Sequence, residues 1–99
     1  MSSENLEAVR ALAPDLTQKK PRSPREKLAG FELAARTLDK CRASLAGSNG
    51  DYEFNCPLDQ RFFAETGIDA EAFRAVVATG ATDEQVGDWI KEHAGSSGE

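Results

Sequence analysis

Residues 23–47, SPREKLAGFELAARTLDKCRASLAG, hold the longest periodic pattern in the chain and decide its fold. Ser23 is of N-cap type, Pro24 suits the first helical position, and Glu26 stands three residues after the serine, the spacing of a capping box. These signals predict a helix starting at residue 24. Leu28 and Phe31 lead its apolar face, and Ala34, Leu38, Cys41 and Leu45 continue it at steps of three and four. Cys41 falls on the buried stripe. Gly30 near the front costs about 1 kcal/mol relative to alanine and marks where the helix would bend or restart. Gly47 supplies a left-handed stop, and the SNGD that follows makes a turn.

Downstream, Tyr52, Glu53 and Phe54 alternate, which predicts a short extended piece with both rings tucked toward one side. Asn55 or Cys56 then caps a helix that begins at Pro57 and runs to about Thr66. Gly67 with Phe63 and Ile68 has the pattern of a Schellman stop. Asp69 caps a further helix over 70–79 with Phe73, Val76 and Val77 inward, and Gly80 closes it. Thr82 and Gln85 form a second capping box, and Val86, Trp89, Ile90 and His93 line one face of the last helix. Upstream, Leu6, Val9 and Leu12 give residues 4–12 a weak amphipathic helix that Pro14 ends. Between Pro14 and Pro24 the text is PDLTQKKPRSP, without periodicity, and reads as a strap running extended over the surface. The expectation is an all-α, single-domain bundle of four to five short helices with a proline-rich N-terminal strap. Its parts are an N-terminal helix or arm at 1–12, one helical domain at 13–93 and a flexible tail at 94–99.

Length and composition narrow the function classes. The chain has 99 residues, 39% of them apolar and 29% charged. A domain of that size buries about two-thirds of its unfolded surface and leaves no room for a large multi-domain enzyme. No apolar run approaches a bilayer span, and MSSENLEAVRALAP contains acids where a signal peptide would be apolar. Two cysteines, Cys41 and Cys56, and one histidine, His93, offer no donor set for zinc, so no metal or cofactor is expected. Both thiols suit a reducing, cytoplasmic setting. The net charge of −5 hides a split: residues 1–50 carry nine basic and six acidic side chains, residues 51–99 three basic and eleven acidic. Glu71, Asp83, Glu84, Asp88 and Glu92 load the last two helices with charge that phosphates would repel, which argues against a nucleic-acid reader.

The strings DLTQKKPRSPREKLAGFELAARTLDKCRASLAG, NGDYEFNCPLDQRFF, TGIDAEAF and ATDEQVGDWI resemble a family of small bacterial proteins known only as a domain of unknown function. The likeness spans about residues 13–92, with PRSPREKL, LDKCRASLAG and CPLDQRF its most specific parts. It implies a free-standing bacterial cytoplasmic protein and brings no activity or site residues with it.

Three groups of residues bear chemistry. Lys19, Lys20, Arg22, Arg25 and Lys27 surround Ser23 at the expected helix start, where unpaired N–H groups would add to their charge and hold phosphate or carboxylate. The plainer reading is a solvated strap, or pairing with the acidic half. Cys56 at a helix cap is a candidate nucleophile or redox thiol, opposed by Asp59 three residues on unless Arg61, Arg42 or Lys40 neutralises that carboxylate. The plainer reading is a structural cap. Asp39, Lys40, Arg42, Tyr52, Asp59 and Arg61 converge if the turn at 47–50 brings CPLD back against the long helix. They would then form either a polar pocket or a packing network. His93 and Trp89 read as edge packing and core anchor. Taken together the residues favour a non-enzymatic module binding an anionic small molecule or a protein partner through Arg22, Arg25, Lys40, Arg42, Tyr52, Cys56, Asp59 and Arg61. The alternatives are a thiol-dependent enzyme using Cys56 and a structural, oligomerising subunit.

Overall fold

In the computed structural model, which describes residues 3–94, the apolar periodicities build five helices. They are α1 (Ser3–Leu12), α2 (Ala34–Ala46), α3 (Pro57–Thr66), α4 (Ala70–Val77) and α5 (Asp83–His93). Among the described residues there is no strand, only an isolated bridge between Leu28 and Phe31. The fold is a small all-α bundle. Its radius of gyration is 12.5 Å, against about 13 Å for a single packed domain of this length. No described helix is long and apolar enough to cross a membrane. The tail expected at 94–99 lies, apart from Ala94, outside the described residues.

The helix expected from residue 24 begins only at Ala34, and the reason lies in three left-handed residues. Ala29, Gly30 and Leu33 have φ of 57°, 86° and 73°, values that a right-handed helix excludes. Ala29 and Gly30 form the tip of a two-residue turn across which Leu28 and Phe31 exchange backbone hydrogen bonds of 3.1 and 3.0 Å. Positive φ at both tip positions is what such a turn demands, and glycine adopts it without strain. Upstream, Glu26 N–H donates to Ser23 O at 3.0 Å and Arg25 N–H to Ser23 Oγ at 3.1 Å. Ser23 and Pro24 therefore open a β-turn, for which both residue types are as well suited as for a helix start. The loop is closed by Leu33 N–H donating to Pro24 O at 2.9 Å. Leu28 and Phe31 still reach the core, by a turn instead of a helical face.

The strap is not uniformly extended. Asp15 accepts the Thr17, Gln18 and Lys19 backbone N–H groups in a turn, and Leu16 is buried beneath it. Leu16 N–H donates to Ser48 O at 2.8 Å, which ties the strap to the loop after α2. Residues 52–54 make no strand, and their rings find different partners. Phe54 lies 6.0 Å from Phe63 and 6.2 Å from Phe73, whereas the Tyr52 ring sits 5.7 Å from the Arg36 guanidinium.

The second half follows its local signals closely. Pro57 opens α3, the Asp69 carboxylate accepts from Ala72 N–H, and Thr82 with Gln85 forms the full capping box of α5. The stop at Gly67 is a single bond to Phe63 O at 2.8 Å. Ile68 N–H turns to Thr66 Oγ1, so this is the simpler left-handed cap and not a Schellman motif. The core gathers Leu38, Phe62, Phe73, Val77, Val86 and Ile90, all essentially without exposed surface. Burial of side chains this size contributes roughly 1.5–3 kcal/mol each. Helix α1 belongs to the same body: Val9 is fully buried, and a Cβ on Gly80 would stand 2.5 Å from that of Ala8. Only glycine permits that approach.

Candidate functional site

Successive residues of α2 are about 100° apart around its axis. Leu38 and Cys41 therefore point into the core together, while Thr37 and Lys40 fall on one flank and Asp39 and Arg42 on the other. Each flank meets a different part of the chain, and two separate polar clusters result.

On the first flank, Lys40 Nζ lies 3.0 Å from Asp59 Oδ2 and donates to Cys56 Sγ at 2.8 Å. Asp59 also accepts from Thr37 Oγ1 and from Asn55 N–H, both at 2.9 Å. Lys40 and Asp59 keep only 3% and 1% of their side-chain surface. Buried ions survive only when so surrounded. Of the three cations weighed from sequence, Lys40 is the one that meets Asp59, and it reaches the sulfur of Cys56 as well. Cys56 is half-buried at the N-cap of α3, with no side-chain capping bond. Burial pushes the other thiol, Cys41, up to about 12, so it stays protonated at neutral pH.

On the second flank, the Arg22 guanidinium grips Asp39 through Nε and Nη2 at 3.0–3.2 Å, and Arg22 N–H adds a bond of 2.8 Å. Its Nη1 donates to Asp83 Oδ2 at 2.8 Å. The other oxygen of Asp83 accepts from Arg42 Nη1 at 2.7 Å, and Arg42 Nη2 donates to Ala81 O at 2.9 Å. One carboxylate thus bridges two guanidiniums. Partial burial pushes Asp83 up, but the hydrogen bonds and charges of Arg22 and Arg42 outweigh it and hold the group below its ordinary value. Burial likewise disfavours the Arg22 cation, yet Asp39 and Asp83 outweigh it and raise Arg22.

These groups floor a cleft of about 630 Å³, within the ordinary range for small-molecule sites. Lys19 and Lys20 stand at its edge, and Ala11, Leu12, Ala13 and Pro14 form an apolar wall. Four cations and two carboxylates line the cleft, and Glu26 stands 3.8 Å from Arg22 Nη1, which leaves a surplus of one positive charge on a chain whose net charge is −5. Of the strap cations named from sequence, Lys19, Lys20 and Arg22 line the cleft while Arg25 and Lys27 do not, and the N-terminus of α2 does not back them, because α2 starts ten residues later than expected.

The remaining candidates lie elsewhere. Arg25 is exposed, and Arg61 keeps 71% of its side-chain surface with Glu65 at 3.9 Å. Both border a smaller cleft of about 250 Å³ with Glu32 and Glu65. Tyr52 engages Arg36 and neither cluster. The eight residues therefore do not form one pocket: Arg22 and Arg42 share the cleft, and Lys40, Cys56 and Asp59 share the buried cluster. Asp83 and the apolar wall were missed as site residues. The one trace in the sequence is an aspartate in the first turn of a capped helix, which reads equally well as ordinary dipole pairing. Trp89 contacts Phe73 and stacks on His93 with ring centroids 4.3 Å apart.

Fold and clusters together define a small helical protein with a basic, half-apolar cleft beside a sealed ion pair. Residues 18–98 match the family model described as a domain of unknown function, DUF5069, and the chain belongs to that family. No curated protein matches it. The matched segment excludes α1, which nonetheless supplies part of the cleft wall.

Proposed function

We propose that this protein is a non-enzymatic, cytoplasmic helical module that binds an anionic small molecule, or the acidic group of a protein partner, in the cleft between α1, the strap and α2. The observation that carries the reading is the cationic surplus of Lys19, Lys20, Arg22 and Arg42 in a concave site, on a chain that is acidic as a whole. Such a site draws anions by its local field while the rest of the surface repels them. A thermal-shift screen of phosphate- and carboxylate-bearing metabolites tests it. A ligand at a hundredfold its Kd adds about 2.7 kcal/mol of stability, enough for a clear rise in Tm. Lys19→Ala/Lys20→Ala changes two exposed residues, so the variant folds normally and loses about tenfold in affinity, the equivalent of one charged contact. Unaltered melting with every anion, in wild type and variant alike, would sink the reading.

The contact between Lys40 Nζ and Cys56 Sγ supports a second reading, thiol chemistry at Cys56. The ammonium can hold a negatively charged sulfur, as attacking or leaving group, in place by direct hydrogen bonding. Iodoacetamide at pH 6.5 decides: alkylation of Cys56 faster than a free model thiol supports this reading, and an ordinary or slower rate removes it.

A further inference from the structure

The cleft already contains an anion of its own. Asp83 places one carboxylate oxygen on Arg22 Nη1 at 2.8 Å and the other on Arg42 Nη1 at 2.7 Å, the fork that two guanidiniums offer to an incoming oxyanion. We propose that Asp83 is a built-in competitor at this site, displaced when the phosphoryl group of a phosphate monoester takes its place between Arg22 and Arg42. The proposal rests on the anion-binding reading above and adds the ligand class and the exchange.

Three features make Asp83 the exchangeable partner. First, its side chain retains 45% of its surface, against 10% for Asp39, so it can turn into solvent with little further change in burial. At the first turn of α5 a negative charge remains favourable after it has turned. Second, neither guanidinium depends on it for position: Arg22 keeps its bonds to Asp39, and Arg42 keeps Ala81 O. Third, the bridge spans the chain from the strap to α5, and its two arginines both line the open cleft.

The same geometry selects the ligand. A carboxylate would replace Asp83 with a group of equal charge and equal acceptor number, a neutral exchange. A phosphate monoester brings close to two charges and three terminal oxygens, enough to engage both guanidiniums and still reach Lys19 or Lys20. Leu12 and Pro14, which line the same cleft, give the organic part of the ester an apolar surface.

The test is an NMR titration of the full chain with inorganic phosphate and, separately, acetate, at constant ionic strength maintained with chloride. Phosphate should shift the Lys19, Lys20 and Arg22 amides saturably and move the Asp83 carboxyl ¹³C resonance toward that of Asp88, which is solvent-exposed on the same helix. Acetate should leave the Asp83 carboxyl in place. Asp83→Asn should bind phosphate about tenfold more tightly than wild type, while Asp88→Asn, which changes the net charge equally outside the cleft, should match wild type. Equal affinity in wild type and Asp83→Asn with an unmoved Asp83 carboxyl overturns the competitor and leaves the anion site standing. Displacement by acetate as readily as by phosphate overturns the ligand class. Absence of saturable binding in every protein overturns the site together with the competitor. Should Asp83→Asn fail to fold, the wild-type carboxyl shift decides alone.

Discussion

The two flanks of α2 carry ion pairs of the same chemistry and opposite design. Lys40 and Asp59 are sealed, and three donors, two from α2 and one from the loop before α3, converge on one carboxylate. Arg22, Asp39, Arg42 and Asp83 sit on the floor of an open cleft with positive charge in excess. A sealed pair selects one packing of α3 against α2, because every alternative leaves a buried charge alone. An open pair with surplus cations costs little to rearrange, and rearrangement is what ligand binding needs.

The sharpest way to break this contrast is Asp59→Ala. It strands the Lys40 ammonium in the interior and should cost about 3–5 kcal/mol, read as a lower midpoint in urea. Replacing both partners, with Lys40→Met and Asp59→Leu, should recover most of that loss; failure to recover would show that the cluster does more than close the interface. Next in size is Gly80→Ala. The added methyl meets Ala8 at 2.5 Å, at a φ of +85° that alanine rarely adopts, so about 1–3 kcal/mol is expected. Because α1 forms one wall of the cleft, anion affinity should fall while the Lys40 amide shift stays in place. Both moving together in NMR would refute the independence of the two clusters.

The smallest effect concerns acid. Asp83 titrates below its ordinary 3.8 in the folded chain, so its contribution is present above that value and is lost as the pH falls through the folded pKa. With nearly half its side chain exposed, the contribution is well under 1 kcal/mol. Asp83→Asn should therefore be slightly less stable than wild type at pH 6 and converge with it as the pH falls through the lowered folded pKa of Asp83. A constant offset across that range would mean that packing, not charge, is what the substitution removes.

Legibility followed the reach of the interactions. The starts of α3, α4 and α5 were readable because a cap, a proline or a capping box acts within four residues. Residues 24–33 were misread for the same reason, since Ser23 and Pro24 satisfy a turn as well as a helix and only the left-handed Ala29, Gly30 and Leu33 decide between them. In the sites, Asp39 and Arg42 were named from their spacing on one helix. Asp83, 61 residues from Arg22 and 41 from Arg42, was not. Its membership depends on where α5 docks.

From the sequence alone come the helical class, the caps of the second half, the buried stripe through Leu38 and Cys41, and the concentration of cations before residue 50. These are local periodicities and counts, set by neighbours along the chain. The tertiary structure alone decided that α2 starts at Ala34, that Lys40 meets Asp59 while Arg42 meets Asp83, and that an acid from the far end of the chain closes the arginine fork. Ion pairs form through space, and their partners are fixed only when packing brings distant segments within about 4 Å.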